Sequence, residues 1–408
     1  MTVRTADVLV VGGGPAGSAA AIELARAGLD VVLADRAHFP RDKCCGDGLT
    51  TGALRQLEAL GLDPSRVASW QPVEAAWVRS PSGRTVEFPF PDCGLFGAVA
   101  RRADLDAELL RMAGEAGAEI AEGHGFEGMR WSDAGVTARL AGREPVAARY
   151  VVGADGVWSP VRKAAGLAET GYLGEWHAFR QYLDAPGEEA RRLWVWFEAA
   201  LLPGYAWSFP LPGGAANVGF GILRRPGVAT GSMADTWRSL LEIPHVREAL
   251  GDAAPEAPHK AWPIPARLPS TACHGAGGRV LLVGDAARAA DPLTGEGIGQ
   301  ALETGRLAAR WVRAAGPGDP GAAAAGYAGE LRAGMVVDHR LAAGLSRVLQ
   351  SERGARGAVR VAGASAWTRR NFARWLFEDY PRAVLGTPSR WHRGMLHGAG
   401  AYSGTMLS

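Results

Sequence analysis

Apolar residues fall into two textures along the chain. The first is the continuous run of a strand buried on both faces, alternating with helical spacing. Residues 8–11 lead into Gly12, Gly14 and Gly17, then a helix spaced by Ala19, Ala20, Ile22, Leu24 and Ala25 and stopped by Gly28; residues 31–33 follow and end on Asp35. The same texture predicts a helix over 51–60 closed by Gly61, and another marked by Leu105, Leu109, Leu110 and Met112 that stops at Gly117. It also predicts a strand over 149–152 that runs into Gly153, Ala154, Asp155 and Gly156, with Ser159 and Arg162 opening a short helix. It returns at 279–283, where a buried strand ends in Gly284 and Asp285, followed by Asp291, Pro292, Leu293, Thr294, Gly295, Glu296, Gly297, Ile298 and Gly299 and a long helix.

The second texture is alternation. Residues 75–78 and 85–90 alternate about Pro81, Ser82 and Gly83, which reads as a hairpin. From 176 to 222 the sequence is aromatic-rich and alternating, and Tyr205, Trp207 and Phe209 share one face by period two. Pro210, Gly219 and Gly221 nearby favour a pocket wall over a plain core stripe. The fold class is therefore α/β: a Rossmann-type domain with an inserted antiparallel β-sheet domain and a C-terminal helical region. The predicted domains are 1–72, 98–172 and 272–325 for the nucleotide-binding unit, 73–97 and 173–271 for the substrate sheet, and 326–408 for the helical region.

The glycine spacing carries chemistry. Gly12 permits a tight turn, Gly14 lets the backbone approach a pyrophosphate, and Gly17 packs helix against strand. The helix start at Pro15 and Ala16 offers amide donors to phosphate, and Asp35, with Arg36 beside it, is placed to meet an adenosine ribose. Arg102, at a helix start, is a surface cation or a phosphate contact. Asp155 and Gly156 form a ligand-facing turn or a plain one. Gly295, Gly297 and Gly299 before a helix make a second amide-lined site, and two such turns far apart imply one long dinucleotide, which suits FAD better than NAD.

Composition is that of a globular protein: 408 residues, 47% hydrophobic and 21% charged. No run approaches the roughly 20 apolar residues that span a bilayer, and the apolar N-terminal run lacks a basic leader, so the expectation is a cytoplasmic enzyme. Cys44, Cys45, Cys93 and Cys273 have no metal spacing, and Cys44 and Cys45 are too close in sequence for a relaxed disulfide. From 326 onward twelve arginines face five acids, a balance of +7, while the rest of the chain carries −5. Nucleic acid is excluded as a partner, because the body is acidic and holds a cofactor site. The segment 365–377 interleaves Trp367, Phe372, Trp375 and Leu376 with Arg369, Arg370 and Arg374. It either docks on the FAD domain or lies on an anionic membrane surface, at the inner face of the cell membrane.

With these residues assembled, the chain resembles the FAD-dependent geranylgeranyl reductases, within the para-hydroxybenzoate hydroxylase-like flavoproteins. Shared by the wider group are Gly12 to Gly17, Asp155-Gly156, and Gly284-Asp285 with Pro292, Gly295, Glu296, Gly297 and Ile298; the resemblance implies that Asp285 binds the ribityl chain and the glycines back the isoalloxazine. More specific are the cysteine motif from Pro40 to Cys45 and Gly46, and Tyr205, Trp207, Phe209 and Pro210 followed by Gly219 and Gly221, similar to the reductases' substrate motif. The string from Cys45 to Thr50 is similar to actinobacterial members acting on menaquinone side chains. The resemblance implies hydride transfer from reduced flavin to an isoprenoid double bond, with Tyr205, Trp207 and Phe209 as apolar wall. Cys45 then either gives the proton or holds flavin and substrate in register. NAD(P)H or a small redox protein is the implied donor. The main rival on this scaffold is a flavin monooxygenase acting on an aromatic or natural-product substrate, with a flavin halogenase and a non-catalytic FAD-bound lipid carrier as lesser ones.

Overall fold

The computed structural model describes residues 3–184, 187–224, 233–391 and 395–404. Its first sheet has eight strands. The path runs His274–Gly275, Val280–Leu282, Val146–Gly153, Arg4–Val11, Val31–Asp35, Glu119–Glu122, and a hairpin of Phe126–Ser132 and Gly135–Leu140 joins beside Val146–Gly153. From Val280–Leu282 to Glu119–Glu122 every neighbour is parallel. Helices cover this sheet, so Val8, Leu9 and Val10 are wholly buried and both strand faces must be apolar. The Pro15–Arg26 helix packs directly against the Ile298–Ala315 helix.

Local chemistry fixes the helix ends. Thr50 accepts from Ala53 N at the start of Thr51–Leu60, and Gly61, at φ 78°, closes it in the left-handed region. Ser365 and Thr368 form a reciprocal capping box at the start of Ala366–Leu376.

The second sheet is ordered Ala254–Pro255, Trp176–Asp184, Ala215–Leu223, Tyr205–Pro210, Leu193–Trp196, Ala75–Arg79, Thr85–Pro89, with Lys260–Ile264 also against Trp176–Asp184. It is antiparallel except where Leu193–Trp196 runs parallel to Ala75–Arg79. That pair joins the early hairpin to the later strands, a connection no local pattern signals.

The tail docks inward on a different partner from the FAD domain that the sequence suggested. The Ala366–Leu376 helix packs chiefly on the second sheet, where Phe372 lies 5.0 Å from Phe88 and Phe377 4.6 Å from Phe90, ring centre to ring centre, and the turn after it meets the FAD domain at Thr50 and Gly52. Arg374 turns inward, pairing with Asp379 and donating to Gly398 O at 3.0 Å. Trp367 does stay exposed. The boundary at 326 falls inside the Pro320–Ala333 helix, whose buried Tyr327 donates to Leu282 O of the first sheet.

Candidate active site

One cavity of about 880 Å³ runs between the two sheets and under the C-terminal helices, near the upper end of the range for small-molecule sites, roughly 300–1,000 Å³. Its near end is the glycine turn. Gly12, at φ 107°, has no room for a side chain: a Cβ there would lie 2.3 Å from Ala154 O. Gly14, Pro15, Ala16, Asp35 and Arg36 line the wall beside it, while Gly17 lies outside, with Gly12 O where its Cβ would be. Asp35 accepts from Gly13 N at 2.7 Å and Ala37 N at 2.8 Å, which ties the two strand ends together and leaves lone pairs for a ribose.

Two guanidinium groups flank Gly14. Arg102 holds the fully buried Asp106 through two 2.7 Å bonds, and Arg41 lies 3.0 Å from the same carboxylate. Two cations share one anion, so the turn carries a surplus positive charge suited to a diphosphate. Arg41 was not among the sequence candidates; it is visible only because the cysteine loop folds back over the turn. Asp155 also lines the cavity, but its carboxyl accepts from Ser159 Oγ and from Val161 N at 2.8 Å, and burial pushes it up to about 6. These bonds shape the turn, and Gly156 lines the cavity beside it.

Further along, Gly284 and Asp285 reach the wall, with Lys43 4.0 Å from Asp285 and 4.3 Å above the Trp262 ring. Gly295, Glu296, Gly297 and Ile298 form the next stretch, and Pro292 lies behind it, outside the lining. Asp291 builds that loop by accepting from Leu293 N at 2.9 Å and Thr294 N at 2.7 Å. The glycine turn, the surplus charge at Arg41 and Arg102 and the second amide-lined loop fit the diphosphate, ribityl and ring portions of FAD.

Cys45 and Gly46 sit where this cleft meets the aromatic stripe. Burial pushes the Cys45 thiol up to about 12, so it is a neutral thiol and no nucleophile at pH 7. Its Sγ accepts from Asp47 N at 3.3 Å. Tyr205, Trp207 and Phe209 all line the far chamber with successive rings 6.1 Å apart, and the Tyr205 hydroxyl donates to Thr294 O of the glycine loop.

Gly219 and Gly221 do not line the cavity. Gly219 lies beneath the Trp207 indole, where a Cβ would sit 2.5 Å from Cζ2, and Gly221 is the cross-strand neighbour of Tyr205. Gly219 shapes the stripe by letting the indole lie flat on the sheet, whereas a Cβ at Gly221 would meet nothing within 4 Å. Sequence reasoning also missed the clamp behind the cysteine loop. Asn217, fully buried, donates to Cys45 O and to Asp47 Oδ2, both at 2.8 Å, and accepts from Trp207 Nε1 at 3.1 Å. Tyr182 adds a 2.6 Å bond to Asp47. Asp47 takes this up at φ 63°, unusual for a residue with a side chain. Phe372, Leu376 and Phe377 of the tail close the chamber, and an amphipathic helix does not announce its partner.

A parallel sheet with a glycine-turn cradle at one end of a cleft and an amide-lined loop at the other defines a flavin-dependent oxidoreductase. The FAD binding domain family matches residues 5–310, and the chain belongs to that family. It is similar to the menaquinone reductase of Mycobacterium tuberculosis, 35% identical over 331 residues, which span 75% of this chain and 76% of that one. It is likewise similar to digeranylgeranylglycerophospholipid reductase 2 of Methanopyrus kandleri, 34% identical over 312 residues, 74% and 75% of the two chains. In fold it matches a geranylgeranyl bacteriochlorophyll reductase-like protein from Thermoplasma acidophilum, with TM-score 0.76 at 23% identity over 96% of this chain and 100% of that one.

Proposed function

We propose that the protein reduces carbon–carbon double bonds of an isoprenoid chain, with a menaquinone side chain as the first candidate and a geranylgeranyl lipid as the second. The observation that carries this is the continuity of one cavity from the FAD cradle into a chamber walled by Tyr205, Trp207, Phe209, Phe372, Leu376 and Phe377. An unactivated alkene is a poor hydride acceptor, so it needs a dry wall that holds it in one pose. Reduced FAD, when bound, supplies the hydride equivalent. Trp207 is fixed by Asn217 and Gly219, Tyr205 by Thr294 O, and Cys45 marks the junction where the alkene meets the cofactor. Arg41, Arg102, Asp35 and Asp285 hold the cofactor along its length, and NAD(P)H or a small redox protein reduces it.

The lipid reaches the chamber from a membrane surface in this reading. Six of the ten large apolar residues exposed among the described residues lie in the tail: Leu341, Val348, Val361 and Trp367 on its helices, and Trp391 and Leu396 in the segment after them. No helix among the described residues is long and apolar enough to cross a membrane, so the contact is peripheral. The test of the activity is anaerobic mixing of FAD-loaded, dithionite-reduced protein with menaquinone or a geranylgeranyl lipid. Reoxidation of the flavin absorbance without oxygen supports it, and a spectrum that stays reduced with every isoprenoid opposes it.

A further inference from the structure

Three carboxyl groups meet behind the glycine loop. Asp291 and Glu296 come from the loop, and Glu378 from the turn after the Ala366–Leu376 helix, at φ 59°. Arg382 reaches two of them, 3.2 Å from Glu378 Oε1 and 3.5 Å from Asp291 Oδ2. Asp291 also has the loop amides, and although burial works against its charge, Arg382 and these donors keep it ionised below the usual carboxylate range. Glu378 is held by Gln300 Nε2 at 2.8 Å and Thr50 Oγ1 at 3.2 Å, both neutral donors. One guanidinium cannot balance three clustered carboxylates, one buried and two half-buried, so the cluster retains a proton at neutral pH.

Glu296 is the member that lines the cavity, its carboxyl anchored by Gly299 N at 2.6 Å. Cys45 and Tyr205 face it from the cysteine loop and the aromatic strand, and Glu378 and Arg382 from the tail. His339 of the Met335–Val348 helix faces Asp291, and Glu303 faces Glu378. Burial and then the Glu378 charge push Glu296 up to about 8. A group of that acidity carries its proton at pH 7 and can still release it, which suits general acid catalysis better than the Cys45 thiol, at about 12.

We propose that Glu296 is the catalytic acid, which protonates the alkene carbon that does not receive the hydride; this rests on the alkene-reductase reading above. A hydride equivalent goes to one alkene carbon and oxidises the reduced FAD by two electrons. The π bond breaks, the other carbon forms its C–H bond with the Glu296 proton, and water restores that proton to the carboxylate. Glu378 keeps Glu296 protonated by like-charge repulsion.

The test uses Glu296→Gln, Glu296→Asp and Glu378→Gln in the FAD-loaded enzyme. Anaerobic flavin reoxidation by the isoprenoid in the wild type falls as pH rises through about 8. Glu296→Gln slows it on the order of 10²–10⁴-fold and removes that break, Glu296→Asp restores part of the rate, and Glu378→Gln moves the break to lower pH. Independently of turnover, infrared difference spectra between pH 7 and pH 10 show a protonated-carboxyl band lost at high pH in the wild type and weaker in Glu296→Gln, where Glu303, pushed up by burial to about 7, contributes what remains. A Glu296→Gln enzyme that keeps the wild-type rate and pH break, or the infrared band at its wild-type strength, overturns the proposal alone. A wild type that reduces no isoprenoid overturns the activity beneath it as well.

Discussion

Asn217 shows how one side chain can couple two parts of a site. Its amide joins the cysteine loop, through Cys45 O and Asp47, to the Trp207 indole on the substrate sheet. Asn217→Leu keeps the volume but strands two buried polar groups, Cys45 O and Trp207 Nε1, and takes one donor from Asp47, which keeps Tyr182 and which burial already pushes up to about 6. Leaving such groups unpaired costs about 3 kcal/mol or more. Urea unfolding of the FAD-free protein should show that loss, and an unchanged midpoint would mean that the clamp bears no strain. Cys45 was legible in the sequence because it sits in a motif with a loop signature. Asn217 was not, since its partner Asp47 lies 170 positions away and a buried asparagine in an alternating strand carries no local sign.

Elements were legible where their ends are written locally. The Thr51–Leu60 helix has Thr50 before it and Gly61 after it, and the structure places it over the same residues as the apolar spacing. The aromatic stripe was legible for the same reason: period two puts Tyr205, Trp207 and Phe209 on one face whatever the sheet does around them. What that face needs beneath it was not. Gly219 lies opposite Trp207 in register, and Gly219→Ala would press a methyl group against the indole and against Phe179 O. The expected result is a loss of about 1–3 kcal/mol from overpacking, with a lower rate of alkene-driven flavin reoxidation and full FAD occupancy by absorbance. Normal turnover would show that the indole's seat is immaterial. The partner of the C-terminal helix was also beyond the sequence, because an apolar face specifies burial and not the surface that buries it.

At the scale of the whole molecule, three units that are distant in sequence build one cleft. The parallel sheet supplies the cofactor cradle, the second sheet a flat aromatic wall, and the tail a roof whose outer side carries exposed Val361 and Trp367 near Arg369 and Arg370. The +7 balance of the tail is partly internal, since Arg374 and Arg382 are buried in ion pairs and Arg390 pairs with Asp338; Arg332, Arg340, Arg347, Arg353, Arg356, Arg360 and Arg370 are exposed. Sedimentation with anionic vesicles should therefore be strong at low salt and weaken as salt screens it, and Trp367→Ala should reduce it. Equal recovery with neutral and anionic vesicles would remove the electrostatic part of this account. The central claim is that the chamber presents an isoprenoid double bond to reduced FAD. Mass spectrometry of menaquinone after anaerobic incubation with the dithionite-reduced, FAD-loaded enzyme tests it most directly. The account predicts a gain of two hydrogens on the side chain, and an unchanged lipid beside oxygen-dependent insertion of oxygen into an aromatic substrate would contradict it.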